Sequence, residues 1–77
     1  MLTGKRFKLQ RPTLSVELVN GLRKALTVPA GSIIKVVSGP TAGDRMVDAL
    51  WEGKMIEMFA IDVDVRGTEV LDDSASA

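Results

Sequence analysis

The stretch Met46-Val-Asp-Ala-Leu-Trp-Glu-Gly-Lys-Met-Ile-Glu-Met-Phe59 decides the reading of this chain. Two runs of six residues flank Glu52-Gly53, and a two-residue loop there makes a β-hairpin. Across such a hairpin Trp51 pairs with Lys54, Leu50 with Met55, Ala49 with Ile56, Asp48 with Glu57, Val47 with Met58 and Met46 with Phe59. Successive side chains of a strand point to opposite faces, so this hairpin has two apolar sides. One carries Val47, Ala49, Trp51, Ile56 and Met58, with the stem of Lys54 alongside, and is expected to face a core. The other carries Met46, Asp48, Leu50, Met55, Glu57 and Phe59. There, four large apolar groups surround two carboxylates placed directly opposite each other, an unfavourable like-charge pair. An exposed patch of this kind is unusual on a soluble monomer. Both features suit a face that meets another surface bearing Arg or Lys, and these six residues are the expected self-interface. The competing expectation is that the twist of the sheet, or the terminal strand, buries this face. A three-residue loop would shift the register and break up the acid pair.

The rest of the chain has the same character. Gly and Pro fall at positions 4, 12, 21, 29, 31, 39, 40, 43, 53 and 67. The segments between them are too short for ordinary helices and rich in Val, Ile, Leu and Thr. Lys5–Gln10 alternates Phe7 and Leu9 with Lys and Gln and reads as a first strand, stopped by Pro12. Leu14–Val19 alternates Leu14, Val16 and Leu18 against Ser15 and Glu17. Asn20-Gly21 is a strong type I′ hairpin signal, since both residues accept positive φ. Arg23–Val28 then returns with Lys24 opposite Glu17. Ile33–Val37, β-branched at four of five positions, is expected inside the sheet. Ala60–Arg66 has room for one 3₁₀ turn, capped by Asp62, before a last strand, Thr68–Leu71. Five to six short strands with a late 3₁₀ turn predict an all-β fold, a small SH3-like β-barrel. It occupies residues 1–71 as a single domain, and residues 72–77 form a flexible acidic C-terminal tail. An OB-type barrel is the competitor, but there is no room for the helix it carries between its third and fourth strands.

Seventy-seven residues make one small domain with a modest core. Such scaffolds usually add a disulfide, a metal or a partner subunit. The chain has no Cys and no His. Disulfides, thiolate zinc sites and Ser-His or Cys-His nucleophiles are therefore excluded, and self-association is the readiest supplement. No catalytic residue, metal ligand or cofactor is predicted. Ten basic and ten acidic residues balance. Residues 1–40 nonetheless hold seven Lys/Arg and one acid, +6, and residues 41–77 hold three Lys/Arg and nine acids, −6. The plain expectation is that the halves interleave and their charges complement. The sharper one is an anion- or nucleic-acid-binding face at Lys5, Arg6, Lys8 and Arg11, with Phe7 between them. The start has no apolar signal core, and no run approaches the roughly 20 apolar residues of a membrane span. A cytoplasmic location is expected.

Two further stretches invite chemistry and supply little. Ser38-Gly-Pro-Thr-Ala-Gly-Asp44 lacks the Gly-Lys-Ser/Thr ending of a phosphate loop and reads as a strand connection. Asp62 and Asp64 are too few carboxylates for a Ca²⁺ site.

The runs Val28-Pro-Ala-Gly-Ser-Ile-Ile-Lys-Val-Val-Ser-Gly39, Asp44-Arg-Met-Val-Asp-Ala-Leu-Trp-Glu-Gly53 and Met58-Phe-Ala-Ile-Asp62 resemble small uncharacterised bacterial proteins of the metagenomic and gene-cassette kind. More distantly, the size and barrel pattern are similar to the plasmid-borne type II dihydrofolate reductases, SH3-like barrels that assemble as homotetramers around one active-site pore. Ile56-Glu57-Met58-Phe59 stands where that family carries Val-Gln-Ile-Tyr, with Glu57 and Phe59 replacing Gln and Tyr. Val36 stands at the family's pore Lys. The resemblance implies the barrel and a habit of assembling. The expected function is a small self-associating interaction module. The alternatives are an oligomeric-pore reductase and a weak nucleic-acid-binding barrel that uses the basic first half.

Overall fold

The computed structural model describes residues 2–40 and 45–71. Two tight turns set its ladder. Asn20 and Gly21 have φ of 53° and 79°, and Glu52 and Gly53 have φ of 50° and 77°. Both loops thus have the positive φ values of type I′ turns, whose twist matches that of the flanking strands. The elements are β1 (Arg6–Leu9), β2 (Thr13–Val19), β3 (Leu22–Val28), β4 (Ile33–Ser38), β5 (Met46–Trp51), β6 (Lys54–Phe59), α1 (Ala60–Arg66) and β7 (Gly67–Val70). All strands pair antiparallel in one sheet, in the order β3-β2-β6-β5-β4-β1-β7. The protein is a small all-β domain. β4 lies inside the sheet, as its β-branched run predicts.

The closed barrel and the strand count are corrected. There are seven strands rather than five to six, and the sheet stays open. Each edge strand pairs with a single neighbour, β3 with β2 and β7 with β1, and the two edges do not reach each other. One sheet and a seven-residue helix cannot sandwich a core between flat layers. Yet Phe7 keeps only 6% of its surface exposed, and Leu9, Val28, Ile34, Val36, Val47, Ala49, Ile56, Met58 and Val63 keep 0–1%. The sheet therefore curls around its own inner face.

The late turn is also corrected, because Ala60–Arg66 is an α-helix and not a 3₁₀ turn. Its N-cap is Phe59, with no side-chain cap hydrogen bond, so Asp62 does not cap it. Asp62 sits in the first turn, where a negative charge suits the helix dipole, and pairs with Arg66 at 3.8 Å. Val63 enters the core. The helix ends at Gly67, whose N–H donates to the Val63 carbonyl. Arg66 fastens the helix to the β1–β2 corner: its Nη1 donates to the Pro12 carbonyl at 3.0 Å, and its own carbonyl accepts from the Gln10 N–H at 2.7 Å.

Two ion pairs, Lys5–Glu69 and Arg23–Glu57, join the basic first half to the acidic second half, the interleaving expected from composition. Among the described residues no helix is long and apolar enough to cross a membrane. The acidic tail at 72–77, and positions 41–44 of the Gly/Pro-rich loop, lie outside the described residues.

Candidate functional site

The Met46–Phe59 hairpin has the expected register at all six pairs, from Met46 opposite Phe59 to Trp51 opposite Lys54. Its inner side is the core side: Val47, Ala49, Ile56 and Met58 are buried, and Trp51 is half-buried against them. Lys54 Nζ lies 5.6 Å from the centroid of the Trp51 ring, so the lysine stem does run along that side.

The other side is not sealed within the subunit. Leu50, Met55 and Phe59 remain 40%, 49% and 42% exposed, and Met46, Asp48 and Glu57 are partly buried. The terminal strand does not cover it, because β7 pairs with β1 at the far edge. Asp48 and Glu57 stand directly opposite each other. Each has a polar neighbour among the described residues. Ser38 Oγ donates to Asp48 Oδ2 at 2.8 Å. Arg23 Nη2 lies 3.4 Å from Glu57 Oε1, an oxygen shut off from solvent that accepts no hydrogen bond among the described residues. That contact is an ion pair without hydrogen-bond alignment.

The face continues beyond the hairpin onto β2. Val16 is the register partner of Glu57, so Leu14, Val16 and Leu18 share the side of Met55 and Phe59. Leu14 and Leu18 are each 55% exposed. The inward positions of β2 are instead Thr13 and Ser15, whose hydroxyls donate to the carbonyls of Arg11 and Leu26. The alternation of β2 is thus turned the opposite way from its plain hydrophobic sense. One signal was available: Thr13 and Ser15 can satisfy their own hydroxyls locally when buried. Leu14, Leu18, Leu50, Met55 and Phe59 form a stripe over three adjacent strands, β2-β6-β5.

The basic residues divide. Arg6 and Lys8 lie on the outer side of β1, and Arg6 is the register partner of Lys35 on β4. Lys5, Arg6 and Lys35 border a cleft of about 330 Å³ between Gly4, Glu69, Val70 and Leu71. Lys5 Nζ is 3.9 Å from Glu69 there. Lys8 stands further along the strand and Arg11 in the corner after it, and neither lines that cleft. Lys35 joins the group through strand pairing that its position in sequence does not signal. Phe7 points into the core and offers no stacking surface, which corrects the expectation of an aromatic among the bases.

Asp64 is exposed and Asp62 is engaged by Arg66. Among the described residues no three acids gather as metal ligands. In the run Ile56-Glu57-Met58-Phe59, Ile56 and Met58 are buried inward, while Glu57 and Phe59 face outward.

No family model, no curated protein and no solved structure matches this chain.

Proposed function

We propose that the protein is a small interaction module that self-associates through the outer side of β5 and β6, extended by β2. The observation that carries this reading is the apolar stripe of Leu14, Leu18, Leu50, Met55 and Phe59, each 40–55% exposed on adjacent strands. Removing the remaining half of each side chain from water is worth about 1 kcal/mol, about 5 kcal/mol per copy. Association costs about 4–15 kcal/mol, so the stripe supports assembly in the micromolar range or weaker unless other contacts add to it. Substituting Leu50→Asp together with Met55→Lys is expected to give a soluble, folded monomer. A double variant that sediments like the unmodified, assembled chain refutes this face as the interface.

A second reading draws on the cleft bordered by Lys5, Arg6 and Lys35, a concentration of cations suited to phosphate groups. It predicts a shift of mixed RNA or DNA in a gel at low salt that fades steeply as salt rises. No shift at low salt removes it.

The oligomeric-pore reductase reading draws on the outward Glu57 and Phe59. Dihydrofolate and NADPH added to labelled protein separate it from the interaction module, which predicts unchanged NMR spectra. Shifts clustered around Glu57 favour the reductase.

A further inference from the structure

We infer that the subunits associate with the Asp48/Glu57 pair of one copy set against the Arg6/Lys35 pair of another. This rests on the self-association proposed above and names the surface that the acidic face meets. Arg6 is opposite Lys35 across β1–β4, Lys35 is opposite Leu50 across β4–β5, and Leu50 is opposite Met55 across β5–β6. These four side chains form one cross-strand row on the outer side of the sheet. Asp48 and Glu57 form part of the next row, two residues along. One side of the sheet therefore presents two directly opposed cations and, two strands away, two directly opposed carboxylates.

Each like-charge pair disfavours its own ladder when considered alone. Set against each other across an interface, the two become complementary, which fixes register and excludes wrong partners. One member of each pair is left over among the described residues. Lys35 makes no ion pair among the described residues, and the shielded Oε1 of Glu57 accepts no hydrogen bond among them. The apolar surroundings also correspond. Leu50, Met55 and Phe59 surround the acids, and Ile33 and Val37, 48% and 42% exposed, flank Lys35 on its own strand.

The pairs are two ladder steps apart, about 10 Å along the sheet. A two-fold contact centred on β5–β6 would set acid against acid. A contact between the unlike patches avoids this, whether as a two-fold pair centred between them on β4–β5 or as a head-to-tail ring.

The test is charge-reversal complementation read by sedimentation, with circular dichroism to establish folding. One variant carries Asp48→Lys and Glu57→Lys, the other Arg6→Glu and Lys35→Glu. At a concentration where the unmodified chain is assembled, each variant alone is expected to lose the assembled species, and an equimolar mixture to recover it. Variants that assemble alone, or a mixture that stays dissociated, overturn the acid-to-base contact and leave the self-association reading standing. An unmodified chain that never assembles overturns both. If reversal unfolds either variant, Asp48→Asn with Glu57→Gln keeps the side-chain shapes and is expected to weaken assembly at least several-fold. Assembly unchanged in that variant also overturns the contact.

Discussion

Asp48 and Glu57 face each other across the β5–β6 ladder, on the side turned away from the core. The reason is on the opposite side. Slipping one strand by one residue would expose either Val47 and Ala49 or Ile56 and Met58. Burial of a large side chain is worth about 1.5–3 kcal/mol, whereas a cross-strand pair is worth about 0.2–1 kcal/mol. The core therefore sets the register, and the acid pair is its consequence.

Replacing one of the two acids should separate folding from assembly. Asp48→Lys places opposite charges across the ladder, worth about 0.2–1 kcal/mol, and gives up the Ser38 hydrogen bond, worth about 0.5–1.5 kcal/mol, so the dilute subunit is expected to stay within about 1 kcal/mol of the unmodified chain in urea unfolding. The same change is expected to weaken assembly in sedimentation. A variant that is both less stable and better assembled contradicts the roles given to this pair.

Two methionines on one strand test the sidedness of the hairpin. Met58 is fully buried and Met55 is half exposed. Met58→Ala is expected to cost about 2–5 kcal/mol through the cavity it leaves. Met55→Ala should stay within about 0.5 kcal/mol at concentrations where the chain is monomeric. Equal costs would mean that both sides are packed within one subunit.

Glu52 has φ of 50°, a left-handed conformation that a glutamate adopts at a cost. Asn is at home there, as Asn20 is at φ 53° in the other tight hairpin. Glu52→Asn is expected to stabilise the fold by about 0.5–1 kcal/mol, a rise in Tm of roughly 2–8 °C for a domain this size. A lower Tm would argue against the two-residue loop.

Gly67 is needed for space rather than for φ, which is −104°. A Cβ there would lie 2.5 Å from the Val63 carbonyl oxygen and 3.1 Å from Phe7 Cβ. Gly67→Ala is expected to destabilise by about 1–3 kcal/mol in thermal or urea unfolding. A neutral result would mean that α1 does not pack so closely on β1.

What could be read from the sequence was local. Tight turns at Asn20-Gly21 and Glu52-Gly53, together with period-two alternation, determine which residues of β2 and β3, and of β5 and β6, stand opposite each other. Non-local pairing was not legible in the same way. Leu14, Val16 and Leu18 face outward because β2 pairs with β6 through Val16 and Glu57, and nothing within β2 specifies that partner. Lys35 meets Arg6 for a similar reason, 29 positions away in the chain. The open sheet follows from which edges fail to meet. The helix was hidden because Ile61, Val63 and Val65 alternate with Asp62 and Asp64 in the manner of a strand. Packing of Val63 in the core and the Asp62–Arg66 pair override that pattern.

The most direct test of self-association is the solution mass of the unmodified chain by sedimentation from low micromolar to millimolar concentration. A mass that rises to a multiple of 8.3 kDa is expected. A mass that stays at 8.3 kDa throughout would contradict it.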